Sequence, residues 1–568
     1  ATLLMLVLAL PGFVSSQTRE LTISSTELAS QLFARQQWNA IVQLAEPLSS
    51  RSPDLNFYYG LALAQLGQLQ DAQRVLLEGH RQQPRDKRFP IELAGVAFKQ
   101  KRYESVKRWL HCGLQLDARD SYANDFLATV YFLQGNLEAA LKYWNRAGKP
   151  YLVNLELDPA LRIDPRLLDR AIVFAPASVL QRRELLGTQQ RLSALEVFPN
   201  YAIDLSARKD GSFDATLRAV EHDGFGANRW QALLSTFGGV PYATIYPGYY
   251  NINRNAENLQ SLLRWDKNKR RALLEFASPL EASPAWRWSA AVDLRNENWD
   301  VVNSFQGSSP LLGALNLRRE AFRLDLTHFA AGTLLWSLGA ELSHRDYRSI
   351  YAGTAISPSL LLTGYQWKEW ASFSSDLLRL PEHRLVLSAG VVPELGHIWS
   401  TPSHDFGKLQ GWISGHWFPQ PRGDDYEMRQ QIKLGKIMGN VPFDELYMLG
   451  IERDNDLWLR AHPGTRDGRK GSAPLGQSYF LSNFDLAKNL YSNGLLQVRL
   501  GPFFDVGRIG DAVPTPTAQK WLFDTGAQAT VRAFGVGVVF TYGKNLRQGN
   551  NAFYATLEKR FGTGEHEP

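Results

Sequence analysis

From Gln497 to Gly507 the residues alternate in character. Gln497, Arg499, Gly501, Phe503, Asp505 and Gly507 fall on one face of an extended strand, and Val498, Leu500, Pro502, Phe504 and Val506 on the other. One face is wholly apolar, while its opposite carries an arginine and an aspartate. Such a strand suits a sheet with lipid on one side and a polar lumen on the other. Beyond the first sixteen residues, no stretch reaches the eighteen or so apolar residues that a membrane helix needs. A spanning chain of this kind must then be a closed barrel, because only helices and closed barrels satisfy every backbone hydrogen bond in lipid. The 16 Trp, 21 Tyr and 29 Phe agree with that reading.

The stretch Phe503-Phe504-Asp505-Val506-Gly507 resembles the F-x-D-x-G strand motif of the outer-membrane barrel superfamily of BamA, TamA and FhaC, the bacterial surface antigen family. Leu459-Arg460 stands where that family has the arginine of its V-R-G-F loop. Ala461 and His462 replace the usual Gly and aromatic, and a longer run, Gly450 to Trp458, precedes the arginine. The resemblance implies that the loop arginine folds back into the barrel and pairs with the strand aspartate. Arg460 and Asp505, with Phe503 and Gly507, are therefore the expected internal loop-to-strand lock. The plainer alternative makes Arg460 a solvated loop charge and Asp505 one lumen residue among many.

A chain of 568 residues is expected to hold two to four domains. The net charge of +6 is spread over 62 basic and 56 acidic residues without a long basic run, so nucleic acid is not a natural partner. The single cysteine, Cys112, excludes an internal disulfide and cysteine-based zinc sites, and no metal or cofactor is expected. The eleven histidines are scattered. No nucleophile elbow, H-E-x-x-H, phosphate loop or paired carboxylates appear in a credible context, so no catalytic residues and no enzyme activity are expected. The glycine-rich run Gly464 to Gly471 lacks phosphate-loop spacing and reads as the tip or stem of the inward loop.

In order along the chain, residues 1–16 read as a secretory signal peptide truncated at its start, with an apolar run from Leu3 to Leu10 and small residues before Gln17. Residues 17–149 repeat. A spacing of 34 relates Gly60 to Ala94 and Ala128, Ala72 to Val106 and Ala140, and Leu76 to Leu110 and Trp144. This resembles the tetratricopeptide repeat, giving an all-α solenoid of about four helix pairs. Residues 150–222 read strand, helix, helix, strand, strand, with Asp210-Gly211 in a hairpin turn, and resemble a POTRA domain, a small α+β module.

Residues 223–561 read as an antiparallel transmembrane β-barrel of about 16 strands, followed by a polar tail, 562–568. Arg229 to Phe237 is expected as the first strand and Ala552 to Phe561 as the last, with Trp230, Leu233, Phe553, Ala555 and Phe561 along a lateral seam. The resemblance implies an assembly, insertion or translocation factor of the bacterial outer membrane, acting at that seam on client outer-membrane or secreted polypeptides. The repeats and the POTRA module would lie in the periplasm and dock clients, periplasmic proteins or lipoproteins. A two-partner-type secretion pore and an envelope scaffold or adhesin are the alternatives.

Overall fold

The computed structural model describes residues 24–302, 310–330, 332–421, 423–492, 496–514, 521–533 and 536–557. The expected signal segment, the seam residue Phe561 and the polar tail lie outside the described residues. The chain divides into two compact units, residues 1–130 and 131–568.

The first unit contains helices α1 (Ser25–Ala34), α2 (Trp38–Ala45), α3 (Pro53–Gln65), α4 (Leu69–Gln82), α5 (Arg88–Lys99), α6 (Tyr103–Leu116) and most of α7 (Ser121–Leu133). Packing gives the 34-residue period its physical meaning. A Cβ on Gly60 of α3 would stand 2.6 Å from Leu76 of α4, and one on Gly79 of α4 would stand 2.2 Å from the Phe89 ring of α5. Ala72, Ala94, Val106 and Ala128 are fully buried. The small positions of the repeat are thus where backbones approach and a large neighbour fills the gap. Ser52 caps α3 by accepting from the Leu55 amide, with Pro53 in the first turn.

The second unit opens with the end of α7 and with α8 (Leu137–Trp144). It continues through β1 (Tyr151–Asp158), α9 (Pro165–Ala171), β2 (Ser178–Val179), α10 (Arg182–Ala194), β3 (Asn200–Ala207) and β4 (Phe213–Val220). The four strands form one sheet in the order β2-β1-β4-β3, with β1 parallel to β4. The order read from the sequence therefore holds, with one short added strand. Leu167, Leu168, Leu192, Leu195, Phe198 and Leu217 form the core between helices and sheet. The Trp144 ring of α8 packs 5.1 Å from Phe213 of β4.

Helix α11 (Arg229–Phe237) comes next, and it corrects the expected first strand. Asn228 accepts from the Gln231 amide at 2.9 Å and caps it. Trp230, Leu233, Leu234 and Phe237 then share one helical side at spacings of three and four, a pattern that alternation does not reproduce. Trp230 and Leu233 are therefore helix residues and not strand residues of a seam.

A large antiparallel sheet follows: β5 (Thr244–Ile245), β6 (Gly248–Ile252), β7 (Glu257–Trp265), β8 (Lys269–Leu280), β9 (Ser283–Val302), β10 (Leu311–Ala330), β11 (Leu334–Arg348), β12 (Gly364–Leu380), β13 (Leu385–Trp399), β14 (His404–Trp417) and β15 (Tyr426–Gly439). Three short strands, β16 (Tyr447–Met448), β17 (Thr465–Arg466) and β18 (Arg469–Lys470), lie in a long loop. The sheet resumes with β19 (Leu475–Ser492), β20 (Leu496–Val513), β21 (Leu522–Ala533), β22 (Val536–Asn545) and β23 (Asn551–Leu557). Each long strand pairs with the next, and β15 pairs directly with β19 across the loop. At the ends of the sheet, the Tyr242 hydroxyl donates to the Ala555 carbonyl of β23 at 3.2 Å.

The alternation anticipated for β20 runs through the sheet. On β11, Glu341, Ser343 and Arg345 are buried while Leu338 and Leu342 are exposed, and on β20 Phe503, Asp505 and Ile509 are buried while Leu500 and Phe504 are exposed. One face is polar and covered, and the other is apolar and open. One rim of the sheet meets the smaller sheet and its helices. There the Asp164 amide donates to the Arg254 carbonyl at 2.7 Å, and Arg287 pairs with Glu196 at 2.9 Å. The opposite rim carries the long loop.

Candidate functional site: the inward-folded loop

The loop between β15 and β19, residues 440–474, folds onto the covered face of the sheet. It brings its own apolar residues, Phe443, Leu446, Leu449, Leu457 and Leu459. These pack with Trp299, Leu315, Phe406, Tyr479, Ile509 and Leu522 of the strands into one buried cluster. Burial of these side chains holds the loop in, and charges set its register.

Arg460 sits at the point where the loop reaches β20. Its Nε donates to the Asp505 carboxylate at 2.9 and 3.1 Å, and its Nη2 donates to Asp505 Oδ1 at 2.5 Å. Its backbone amide donates to Asp505 Oδ2 at 3.1 Å. Nη1 pairs with Asp485 and donates to Gln528 Oε1 at 3.1 Å. The guanidinium carbon lies 4.0 Å from the centre of the Phe503 ring. Every guanidinium nitrogen is used, a geometry that the planar fork of arginine supplies and the point charge of lysine does not. Arg460 is 5% exposed and Asp505 is fully buried.

Glycines make the approach possible. A Cβ on Gly507 would come within 2.7 Å of Leu459, and one on Gly543 within 2.4 Å of the Arg460 carbonyl oxygen. One on Gly526 would come 2.8 Å from the Phe503 ring. Gly507, Gly526 and Gly543, on three successive strands, thus leave the floor on which Leu459, Arg460 and Phe503 rest. The structure brings together all four residues of the expected lock, Arg460, Asp505, Phe503 and Gly507.

The sequence reading missed the rest of this pocket. Asp524 faces Asp505 directly across the ladder, and Asn483 faces it from the other side. Asn483 donates to Asp505 Oδ1 at 2.8 Å and to the Trp458 carbonyl at 2.9 Å. Asp524 accepts from the Ala461 amide at 2.7 Å and lies 3.0 Å from His462 Nδ1. His462 Nε2 lies 3.0 Å from the Asn545 amide nitrogen. These partners fit a ring protonated on Nδ1, donating to Asp524 and accepting from Asn545. Two buried carboxylates opposite one another repel unless a cation lies between, so the pairing of Asp505 with Asp524 was the readable signal, available once register is known.

The other half of the loop has the opposite sign. Asp454 meets Arg264 at 2.9 Å, Arg271 at 2.6 Å and Lys470 at 3.1 Å. Glu452 meets Lys269 at 3.3 Å, and Lys470 reaches Glu297 of β9 at 2.7 Å. Asp444 pairs with Arg345 at 2.9 Å and accepts from the Tyr347 hydroxyl at 2.6 Å. Glu445 pairs with Lys408 and lies 3.4 Å from Lys368. An acidic stretch of loop therefore meets a basic wall on β7 to β14, and a basic tip meets an acidic wall on β19 to β21.

Of the expected seam residues, Phe553 and Ala555 lie on β23, with the Phe553 side chain exposed. Tyr554, between them, faces the covered side and its ring lies 6.5 Å from Trp458 of the loop.

No protein-family profile matches the chain. No curated protein matches it either. Among solved structures, BamA from Haemophilus ducreyi lacking POTRA domains 1–3 is similar at 12% identity over 72% of this chain and 85% of that one, with a TM-score of 0.43. CdiB from Escherichia coli is similar at 15% identity over 72% and 75%, with a TM-score of 0.45. CdiB from Acinetobacter baumannii is similar at 12% identity over 72% and 73%, with a TM-score of 0.41.

Proposed function

We propose that the chain is an outer-membrane protein of the BamA, TamA and FhaC superfamily that inserts or translocates client polypeptides. The large sheet is read as its barrel, of about 16 strands, the small α+β module as a POTRA domain, and the helix pairs as tetratricopeptide repeats on the periplasmic side. The observation that carries this reading is the Arg460 guanidinium held by the buried Asp505 carboxylate over the Phe503 ring. It unites the two sequence motifs from which the resemblance was drawn.

In this reading the loop braces the sheet from inside while β23 remains the weakly joined end. A strand edge facing lipid has unsatisfied amides and carbonyls, so any incoming client strand is a favourable partner there. Pairing that edge and burying client side chains in lipid drives the process without nucleotide. No step makes or breaks a covalent bond.

The test is photo-crosslinking in native envelopes, with the probe at Ala555 on β23 and, separately, at Gln528 beside the loop tip. Adducts of unfinished outer-membrane polypeptides at Ala555 support insertion at the sheet end. A single exported passenger at Gln528, with nothing at Ala555, moves the assignment to a secretion pore. Absence of polypeptide adducts at both positions overturns the reading.

A further inference from the structure

Strand direction at the ends of the large sheet leaves a gap of a definite kind. Strands β5 and β6 run antiparallel to β7, and β23 closes an antiparallel series from β7 onward in which β15 pairs directly with β19. Counting along that series, with β5 and β6 as one pass, the first and last passes point the same way. An antiparallel closure needs one more pass between them, and the chain just before β5 is the segment positioned to provide it.

That segment makes a single β-bridge to the sheet and then departs. Gly224 pairs with Tyr250 of β6 in an antiparallel bridge, with reciprocal hydrogen bonds of 3.0 and 2.7 Å. Continuing that register would set Asn228 opposite Tyr246. Instead the Tyr246 amide donates to the Thr236 carbonyl at 2.9 Å, so eight additional residues are taken up alongside the same edge. They are taken up as α11. Beyond the helix, Tyr242 reaches β23 through the Ala555 carbonyl, and its ring lies 3.8 Å from the Arg453 guanidinium carbon of the inward loop.

The helix is strongly two-sided. Trp230 is 62% exposed, Leu233 49% and Phe237 53%, with Leu234 beside them, whereas Gln231 is buried and donates no charge to the face. The only charged residue in α11 is Arg229, at its start. The nearby strands likewise present open apolar side chains: Leu263 and Trp265 on β7, Phe540 and Tyr542 on β22, and Phe553 on β23. Phe225, just before the helix, packs edge-on to Tyr249 of β6 and is itself exposed.

We propose that α11 stands in for the closing strand that the described residues do not supply, with its Trp230, Leu233, Leu234 and Phe237 face seated in the acyl chains of the bilayer. The inference rests on the membrane reading above. A helix satisfies its own backbone hydrogen bonds, so it can border lipid where a single unpaired strand cannot. Four large apolar side chains with no partner in water are costly, and the same four in lipid are stabilising. The surrounding apolar surface of β7, β22 and β23 makes lipid the occupant that needs no further partner. Arg229 at the helix start is suited to the phosphate level of the bilayer.

The test uses the full chain carrying Cys112→Ser, reconstituted in phosphatidylcholine vesicles. Single cysteines at Leu233, at Ser235 on the far side of the helix and at Leu395 on the open face of β13 each carry an environment-sensitive fluorophore. Lipids spin-labelled in the acyl chain should quench Leu233→Cys and Leu395→Cys by about half or more, and Ser235→Cys far less. Quenching at Leu395→Cys alone overturns the role of α11 and leaves the membrane reading intact. No quenching at either position overturns both. Protection of Leu233→Cys that grows with protein density assigns the face to a second copy and overturns the proposal. Phe237→Cys repeats the measurement should Leu233→Cys not fold.

Discussion

The large sheet is gripped in two places, and the grips differ in kind. Inside, the loop 440–474 holds the strands through charges from which water is excluded. At the opposite rim, α8 and α10 hold the strand turns through half-buried contacts. There Lys142 pairs with Glu382, the Tyr143 hydroxyl donates to Glu382 at 2.8 Å, and Arg379 joins Glu138 at 3.1 Å. The inner grip commits its members, because removing one partner of a buried pair leaves the other uncompensated. The rim grip is closer to a surface contact, where water replaces a lost partner at small cost. The inner grip should therefore decide whether the loop is in place, and the rim grip should tune how firmly the small module docks.

Arg460→Ala tests that contrast most severely. It leaves Asp505 and Asp524 facing one another without a guanidinium, and a loss of about 3–5 kcal/mol is expected for a buried pair broken on one side. Urea unfolding followed by gel mobility reads it, and planar-bilayer conductance should rise as the tip leaves its seat. Arg460→Lys should recover only part of the loss, since one ammonium cannot serve Asp505, Asp485 and Gln528 together. Equal behaviour of the lysine variant and the parent protein would remove the argument from fork geometry.

Gly507→Val comes next. Its Cβ would collide with Leu459 at 2.7 Å, on a strand that otherwise tolerates valine. Overpacking of this sort costs about 1–3 kcal/mol. The expected result is a loop newly open to protease with the sheet still folded, and an unchanged loop would show that Leu459 has room to move. Asp454→Asn should do less. Arg271 keeps Asp293 at 2.9 Å and Lys470 keeps Glu297 at 2.7 Å, while buried Arg264, which is paired with Asp454 itself, loses the charge but keeps an amide oxygen as acceptor. A loss of about 1–2 kcal/mol, as for a hydrogen bond to a charged group, is expected in the same unfolding assay.

The two grips were unequally legible in the sequence. Arg460 and Asp505 could be found because local alternation placed the aspartate on the polar face and a resemblance supplied its partner. Asp524, Asn483 and His462 could not, because their proximity depends on which residue stands opposite which across ladders from β19 to β22. Asp444, Glu445, Glu452 and Asp454 are acids in a loop, the usual signature of a solvated segment, and only tertiary burial against Arg264, Arg345 and Lys408 makes them structural. The 34-residue period was legible because small residues recur where helices touch. Arg229 to Phe237 is a helix and not the expected strand because the Asn228 cap and the helical spacing of Trp230, Leu233, Leu234 and Phe237 outweigh any alternation in so short a run.

The smallest effect belongs to the rim, and pH isolates it. Partial burial alone would raise the Glu382 carboxyl. The hydrogen bonds from Lys142, its own backbone amide and Tyr143 outweigh that burial and hold it below the ordinary carboxylate value. Burial and the adjoining Glu382 charge push the Tyr143 hydroxyl up, so it remains a donor throughout the relevant range. A carboxyl depressed in the folded state contributes stability that is fully present above its unfolded value, near 4.3, and is lost as pH falls through the folded value. Acidification below about pH 4 should therefore loosen the contact between α8 and the β12–β13 turn by about 1 kcal/mol or less, given the partial exposure. Hydrogen exchange of the amides around Pro381 to His383 reads it, with faster exchange in acid after correction for the intrinsic rate. Glu382→Gln should exchange as the acidified protein does at every pH while leaving loop protection at Arg460 unchanged. Loss of that protection as well would mean that the two grips act as one, and the contrast between them would fall.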